Sequence, residues 1–313
     1  IRTSEINTKI FFKIIKIPNI FCYSLIKNLI SKKTNSQHFV KLLTVIFKFI
    51  GIKYLYMIDD RREIKLFSRI AKINNIKNLI YMHGRFSHKL NLLSKLNFSK
   101  YLVWSNFFKN ELLKSNKKYN SKNVIVVGNP FINNNFIRQT IDKNFKIKKC
   151  LILDEDFIRY SNVSGFFDIL SKHKKIKFFL KKKITRELPA EIHQFCIDNN
   201  FRILSGQESL SKIIKKFKID SILASTSTGL LEACYYQVVP LKFDSKNYTR
   251  EKEFNIFVKE RLVYNAINKK TLSNLLVRSY SIKELNLKRK KLWGEIKFKY
   301  NNVQKILNSF PNL

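Results

Sequence analysis

The 313-residue chain is short of acidic residues, with 22 Asp and Glu against 61 Lys and Arg, a formal net charge of +39. It also lacks paired cysteines. Cys22, Cys150, Cys196 and Cys234 are scattered, with no CxxC and no histidine at metal-ligand spacing. That pattern argues against a zinc site and a disulfide scaffold, and reads as buried thiols in a reducing, cytoplasmic compartment. Long apolar runs are missing too. The most apolar stretch, residues 42 to 58, is interrupted by Lys48 and Lys53, whereas a membrane span needs about 20 unbroken apolar residues. The amino terminus has no apolar core followed by a small-residue cleavage site, so a secretory signal is not expected. The chain opens on Ile1 rather than Met. The expectation is a missing start, with any glycine-rich loop of a first strand lying upstream.

The positive charge is spread along the whole chain. The first 130 residues carry 25 of the basic and 5 of the acidic residues, so the excess is not a basic tail. Such a balance suits anionic partners, whether nucleic acid, anionic lipid or a phosphorylated substrate. A compositional reading competes, because Lys, Asn, Ile and Phe together are what AT-rich coding produces. Clustered arginines with interleaved aromatics, the mark of RNA recognition, are absent, so no specific nucleic-acid partner is expected. Hydrophobic residues at 45% suffice for real cores, and the length suits two domains.

Apolar runs of four to seven residues alternate with helical patterns, which predicts parallel βα units. The first series reads as strands at 52–58, 78–82, 100–105 and 123–130, with helices at 61–73, 87–96 and 106–115. A polar segment, 131–147, reads as a linker. The second series has strands at 149–154, 175–182, 201–205, 220–225 and 238–243, with helices ending near 172 and at 188–199, 208–217 and 228–236. The last 60 residues read as helices. The fold class is therefore α/β, with two Rossmann-like domains facing a cleft and a helical carboxyl terminus. The domains are expected at 1–135, an acceptor-side domain truncated at its start, and 145–313, a nucleotide-donor domain.

Two stretches carry chemistry. In LIYMHGRFSHKL (79 to 90) a strand stops on His83 and Gly84, at the carboxyl end where open α/β sheets keep their ligands. In ASTSTGLLEACYYQVVPLKF (224 to 243) a strand ends in Ser225, Thr226, Ser227 and Thr228, and a helix begins with Gly229. Hydroxyls and free N–H groups there suit a diphosphate, and Glu232, one turn on, suits ribose hydroxyls. The plain alternatives are an N-cap at the second and a hydrogen-bonded turn at the first. Asp154-Glu155-Asp156 spells D-x-D after a strand, as metal-dependent transferases of another architecture do. It reads better as an acidic helix start, as does Asp59-Asp60, although that pair sits on the cleft side. His38, His88, His173 and His193 read as surface residues.

The order MIDD, YMHG, YLVWS, IVVGNP and STSTGLLEACYYQVVPL resembles the GT-B glycosyltransferases of bacterial surface-carbohydrate and capsule synthesis, including relatives of CDP-glycerol glycerophosphotransferases. The resemblance covers residues 52 to 130 and 200 to 243. It implies metal-independent transfer of a sugar or polyol phosphate from a nucleotide-activated donor to a glycan or lipid-linked acceptor, with no cofactor. His83 would be the base, with Asp59, Gly84 and Arg85 on the acceptor side. Ser225 to Gly229 and Glu232 would bind the donor. Two departures stand out: Lys182 and Arg186 lie where such proteins often carry His-Pro, and Ser105 replaces a glycine after Trp104. Both cations could still neutralise phosphate. The net charge would favour peripheral attachment to the anionic inner face of the cell membrane. The alternatives are a nucleotide-sugar 2-epimerase-like enzyme and a non-catalytic basic binding protein, either for nucleic acid or as a degenerate glycosyltransferase.

Overall fold

The computed structural model describes residues 37–49, 51–52, 54–58, 64–82, 98–115, 119–129, 132, 144–155, 158, 163–243 and 254–294. The readings of a helix at 87–96, of most of the linker, and of Asp59, His83, Gly84 and Arg85 fall outside these residues. Two compact units are distinguished, one within 1–57 and 61–78, the other within 58–60 and 79–313.

The first unit contains helix α1 (Gln37–Phe49), strand β1 (Tyr54–Ile58) and helix α2 (Ile64–Ile73). Its core is a small cluster in which Val40 and Phe47 of α1 meet Ile70 and Ala71 of α2, with Ile76 beyond. Val40 and Phe47 lie seven residues apart, two helical turns, and so share one face.

Strands β2 (Lys77–Tyr81), which belongs to the second unit from Leu79 on, β3 (Lys100–Val103) and β4 (Val124–Val126) form parallel ladders, with Leu79 opposite Lys100 and Tyr101 opposite Val124. Helix α3 (Asn106–Ser115) crosses between β3 and β4. The pair β5 (Asn144–Lys146) then precedes a larger sheet. That sheet comprises β6 (Lys149–Leu153), β7 (Lys177–Lys181), β8 (Arg202–Leu204), β9 (Ser221–Ala224), β10 (Val239–Phe243) and β11 (Tyr264–Ala266), in the order β8-β7-β6-β9-β10-β11. Its ladders are parallel throughout. Counted from its own first strand, the order is the doubly wound 3-2-1-4-5-6, and the winding reverses between β6 and β9. The two series of strands thus lie in separate sheets, and the α/β, Rossmann-like reading holds.

Central parallel strands are buried on both faces, which is why KCLIL, SILA and VPLKF read as near-continuous apolar runs. Helices α4 (Val163–Lys172), α5 (Ala190–Asp198), α6 (Leu210–Phe217) and α7 (Gly229–Tyr235) follow β6, β7, β8 and β9. One core cluster joins Phe166, Phe167, Phe178 and Phe201 with Leu223 and Leu241, and the Phe178 and Phe201 rings stack at 4.8 Å. Each such phenylalanine contributes about 2–3 kcal/mol.

Residues 254 to 294 hold helices α8 (Asn255–Lys259), α9 (Lys269–Val277) and α10 (Ile282–Trp293), as expected, but also two strands. β11 extends the large sheet, and β12 (Ser279–Ser281) pairs antiparallel with β5, setting Tyr280 opposite Phe145. Tyr280 is fully buried and donates its hydroxyl to the Leu275 carbonyl. That anchor gives two otherwise polar triplets a reason to pair.

Lysines also take backbone carbonyls, in Lys288 and Lys291 alongside the carboxylates of Glu284 and Glu260. Lys149 Nζ donates to Phe217 O at the end of α6, and Lys288 and Lys291 donate to Arg261 O and Glu260 O just past α8. These carbonyls are the unpaired acceptors at the negative ends of helix dipoles. Part of the lysine excess is therefore structural.

Candidate functional site at the carboxyl ends of the large sheet

The chain segments that leave β6, β7, β8 and β9 converge at one edge of the six-stranded sheet. Each expected donor residue lies there, but not all of them face outward. Ser225 and Thr226 are fully buried, and their N–H groups donate to the Glu155 carboxylate. Ser227 and Thr228 are half-buried. Ser227 Oγ accepts the Gly229 N–H at 3.1 Å, so this hydroxyl acts as the local cap. Gly229 is buried against β6. A Cβ there would come within 2.5 Å of Leu153 Cδ1, so its role is close packing of α7 on the sheet.

Glu232 is half-buried one turn into α7. Burial pushes its carboxyl up from the ordinary value near 4.5 to about 7, and the Lys181 ammonium pulls it back down. Lys181 is in turn lowered by burial, with Glu232 and Glu208 opposing, and its Nζ donates to Gly206 O at 2.8 Å. Gly206 is required by close approach, because a Cβ would lie 2.6 Å from Ile184 N and 2.7 Å from Lys183 C. The loops after β7 and β8 are thus locked together beneath Glu232. A carboxyl that titrates near neutrality in such a site is a functional candidate with a stated cause.

Stability carries the same signature. Between about pH 4.5 and 7 the unfolded chain has released the Glu232 proton while the folded chain still holds it, so stability falls as pH rises through that window. Denaturant melts at pH 5 and pH 8 should show a steeper loss for the native protein than for Glu232→Gln. Parallel profiles would contradict this placement.

The two cations that depart from the family pattern are both held by carboxylates. Lys182 pairs with Glu187, and Arg186 Nη2 lies 3.6 Å from Asp154 Oδ1. Asp154 is buried and also accepts the Lys183 N–H at 3.2 Å. The first two carboxylates of the D-x-D sequence thus serve the chain's own N–H groups and a guanidinium; Asp156 lies outside the described residues. Among the described residues, no three His, Cys, Asp or Glu side chains gather as a metal site would require.

Sequence reasoning missed Glu155 and Lys181. Lys181 was one of three successive lysines. Glu155 is separated by 70 residues from the turn it serves, and nothing local signals that pairing. Ser105 has a structural explanation: its Oγ donates to the Leu292 carbonyl at the end of α10.

The doubly wound large sheet and the separate parallel sheet before it define a GT-B-type α/β fold. No protein-family model matches the chain, and no curated protein is similar enough in sequence to match. Solved structures do match. One is a glycosyltransferase from Rickettsia africae ESF-5, 14% identical over 90% of this chain and 83% of its own, with a TM-score of 0.51. A UDP-GlcNAc 2-epimerase from Neisseria meningitidis, bound to UDP-GlcNAc, is 15% identical over 87% and 80%, with a TM-score of 0.52. MurG of Acinetobacter baumannii is 10% identical over 90% and 82%, with a TM-score of 0.53. At these identities the likeness is one of fold.

Proposed function

We propose that the protein is a metal-independent transferase that moves a sugar or polyol phosphate from a nucleotide-activated donor to a surface-glycan or lipid-linked acceptor. The observation that carries this reading is Glu232, a half-buried carboxyl with a near-neutral pKa, set beside the half-buried hydroxyls of Ser227 and Thr228. All three lie at the carboxyl edge of a doubly wound sheet, where such folds take nucleotides. Glu232 would accept the ribose hydroxyls. Ser227, Thr228, Lys182 and Arg186 would meet the phosphates and stabilise the departing charge. Ser225 and Thr226 would support this surface from below. His83 would deprotonate the acceptor hydroxyl, with Asp59, Gly84 and Arg85 beside it. The division into an acceptor-side domain, 1–135, and a donor domain, 145–313, belongs to the same proposal. So does peripheral attachment to the anionic inner face of the cell membrane, which the +39 charge favours. Among the described residues, no helix is long and apolar enough to cross a membrane.

The fold shared with the Neisseria meningitidis epimerase favours a second reading, a nucleotide-sugar 2-epimerase. An epimerase inverts its sugar with no acceptor present, whereas a transferase releases nucleotide only when an acceptor is supplied. Against it, Asp154 and Glu155 are already engaged by the chain's own groups. A thermal-shift screen of CMP, CDP, UDP and GDP tests the common ground of both. One of these should raise the melting temperature by mass action, by about 2.7 kcal/mol of stability at 100 times its Kd. A flat response to all four would remove the donor site.

A further inference from the structure

The crevice where the winding reverses already holds an anion, and that anion belongs to the chain. Glu155 follows β6 and is buried. Its carboxylate accepts the Ser225 N–H at 2.5 Å, the Thr226 N–H at 3.2 Å to either oxygen, and the Thr226 hydroxyl at 3.4 Å. Successive backbone N–H groups at the carboxyl edge of a parallel sheet are suited to phosphate oxygens. Here both oxygens of a glutamate fill that position. The neighbouring carboxylate cannot take its place, because Asp154 is turned to Arg186 and the Lys183 N–H.

We propose that Glu155 is a positioning and specificity residue. It fills the anion seat between β6 and β9, holds the turn 225–228 in shape, and keeps a donor's phosphates off the crevice floor, so that they lie outward against Ser227, Thr228 and Arg186. Two physical arguments support this. Ser225 and Thr226 are wholly buried, so their N–H groups have no water to turn to and need a resident acceptor. An ionised carboxylate offers acceptors only, whereas a glutamine would turn an NH₂ toward one of the donors. A second anion in the same seat would meet like-charge repulsion at close range. The seat stands on the hydrogen bonds alone; the steering of phosphates rests on the donor reading above.

The test uses the full chain with Glu155→Ala and Glu155→Gln. Melting temperatures are measured in sodium formate and in sodium chloride at equal ionic strength. In Glu155→Ala, formate should enter the emptied seat and recover several degrees that chloride does not, while the native protein melts alike in both salts. A purely packing role for Glu155 would not give a formate-specific response. A folded Glu155→Ala that melts alike in both salts overturns the seat, as does a native protein that gains equally from formate. Binding of inorganic pyrophosphate then tests the steering. Glu155→Gln, lacking the like charge, should bind it about 3- to 10-fold more tightly than the native protein. Unchanged, weaker or absent binding overturns the steering, and this variant carries the test alone if Glu155→Ala does not fold. Formate rescue without nucleotide binding by any of the three proteins would remove the donor reading and leave the seat standing.

Discussion

Replacing His83 with alanine should lower turnover by about 10²–10⁴-fold, the usual contribution of a general base, and leave donor binding nearly intact. His83 itself lies outside the described residues, whereas the chain just before it lies within them. Met82 is fully buried, and its N–H donates to Leu102 O at 2.9 Å, closing the β2–β3 ladder. In the sequence His83 comes two residues after Tyr81, the last residue of β2. A histidine imidazole can take a proton from an acceptor hydroxyl. Gly84 follows, giving the chain freedom to turn. The control is His88→Ala, which should be close to neutral in a coupled assay of nucleotide release. If both variants behave alike, the histidine has no part in the chemistry.

Trp293→Ala should destabilise the protein by about 3–5 kcal/mol, the range for deleting a large buried aromatic. Trp293 ends α10 at 2% exposure. Its indole stacks on Trp104 at 5.8 Å and meets Phe108 and Tyr235 edge-on at 6.2 and 5.9 Å. Its Nε1–H donates to Leu231 O at 2.9 Å. One side chain thus ties the end of β3 and helix α3 to α7, the helix that carries Glu232. Ser105 adds a second tie through Leu292 O. Removing the indole opens a cavity and takes one hydrogen-bond donor away from the Leu231 carbonyl. Leu287→Ala, in the same helix but 61% exposed, should stay within about 0.5 kcal/mol of the native protein. Equal midpoints in urea for the two variants would show that α10 is not the joint described.

Much of the fold was legible because its strands are parallel and buried. The observed β6, β7, β9 and β10 fall inside the expected runs at 149–154, 175–182, 220–225 and 238–243. What escaped notice depends on partners far away in the chain. Asn144–Lys146 sits in a polar segment and becomes a strand only because Ser279–Ser281 lies beside it, with Tyr280 sealed in the core. Tyr264–Ala266 joins the sheet at its edge, inside a region that reads as helical. At the candidate site, the hydroxyl run and Glu232 were visible as a strand-to-helix junction. Their division of labour was not. Ser225 and Thr226 face inward to Glu155 while Ser227 and Thr228 stay half-exposed. That difference follows from a carboxylate 70 residues earlier, which no local pattern reveals.

As proposed, the carboxyl edge of the large sheet binds the nucleotide of an activated donor. Isothermal titration of the stabilising nucleotide into the native protein and into the Ser227→Val, Thr228→Val double variant tests it most directly. The variant should lose about 1–3 kcal/mol of binding, the scale of hydrogen-bonding groups left unpaired against phosphate, or about 5- to 150-fold in Kd. An unchanged Kd in a variant that melts like the native protein would contradict it.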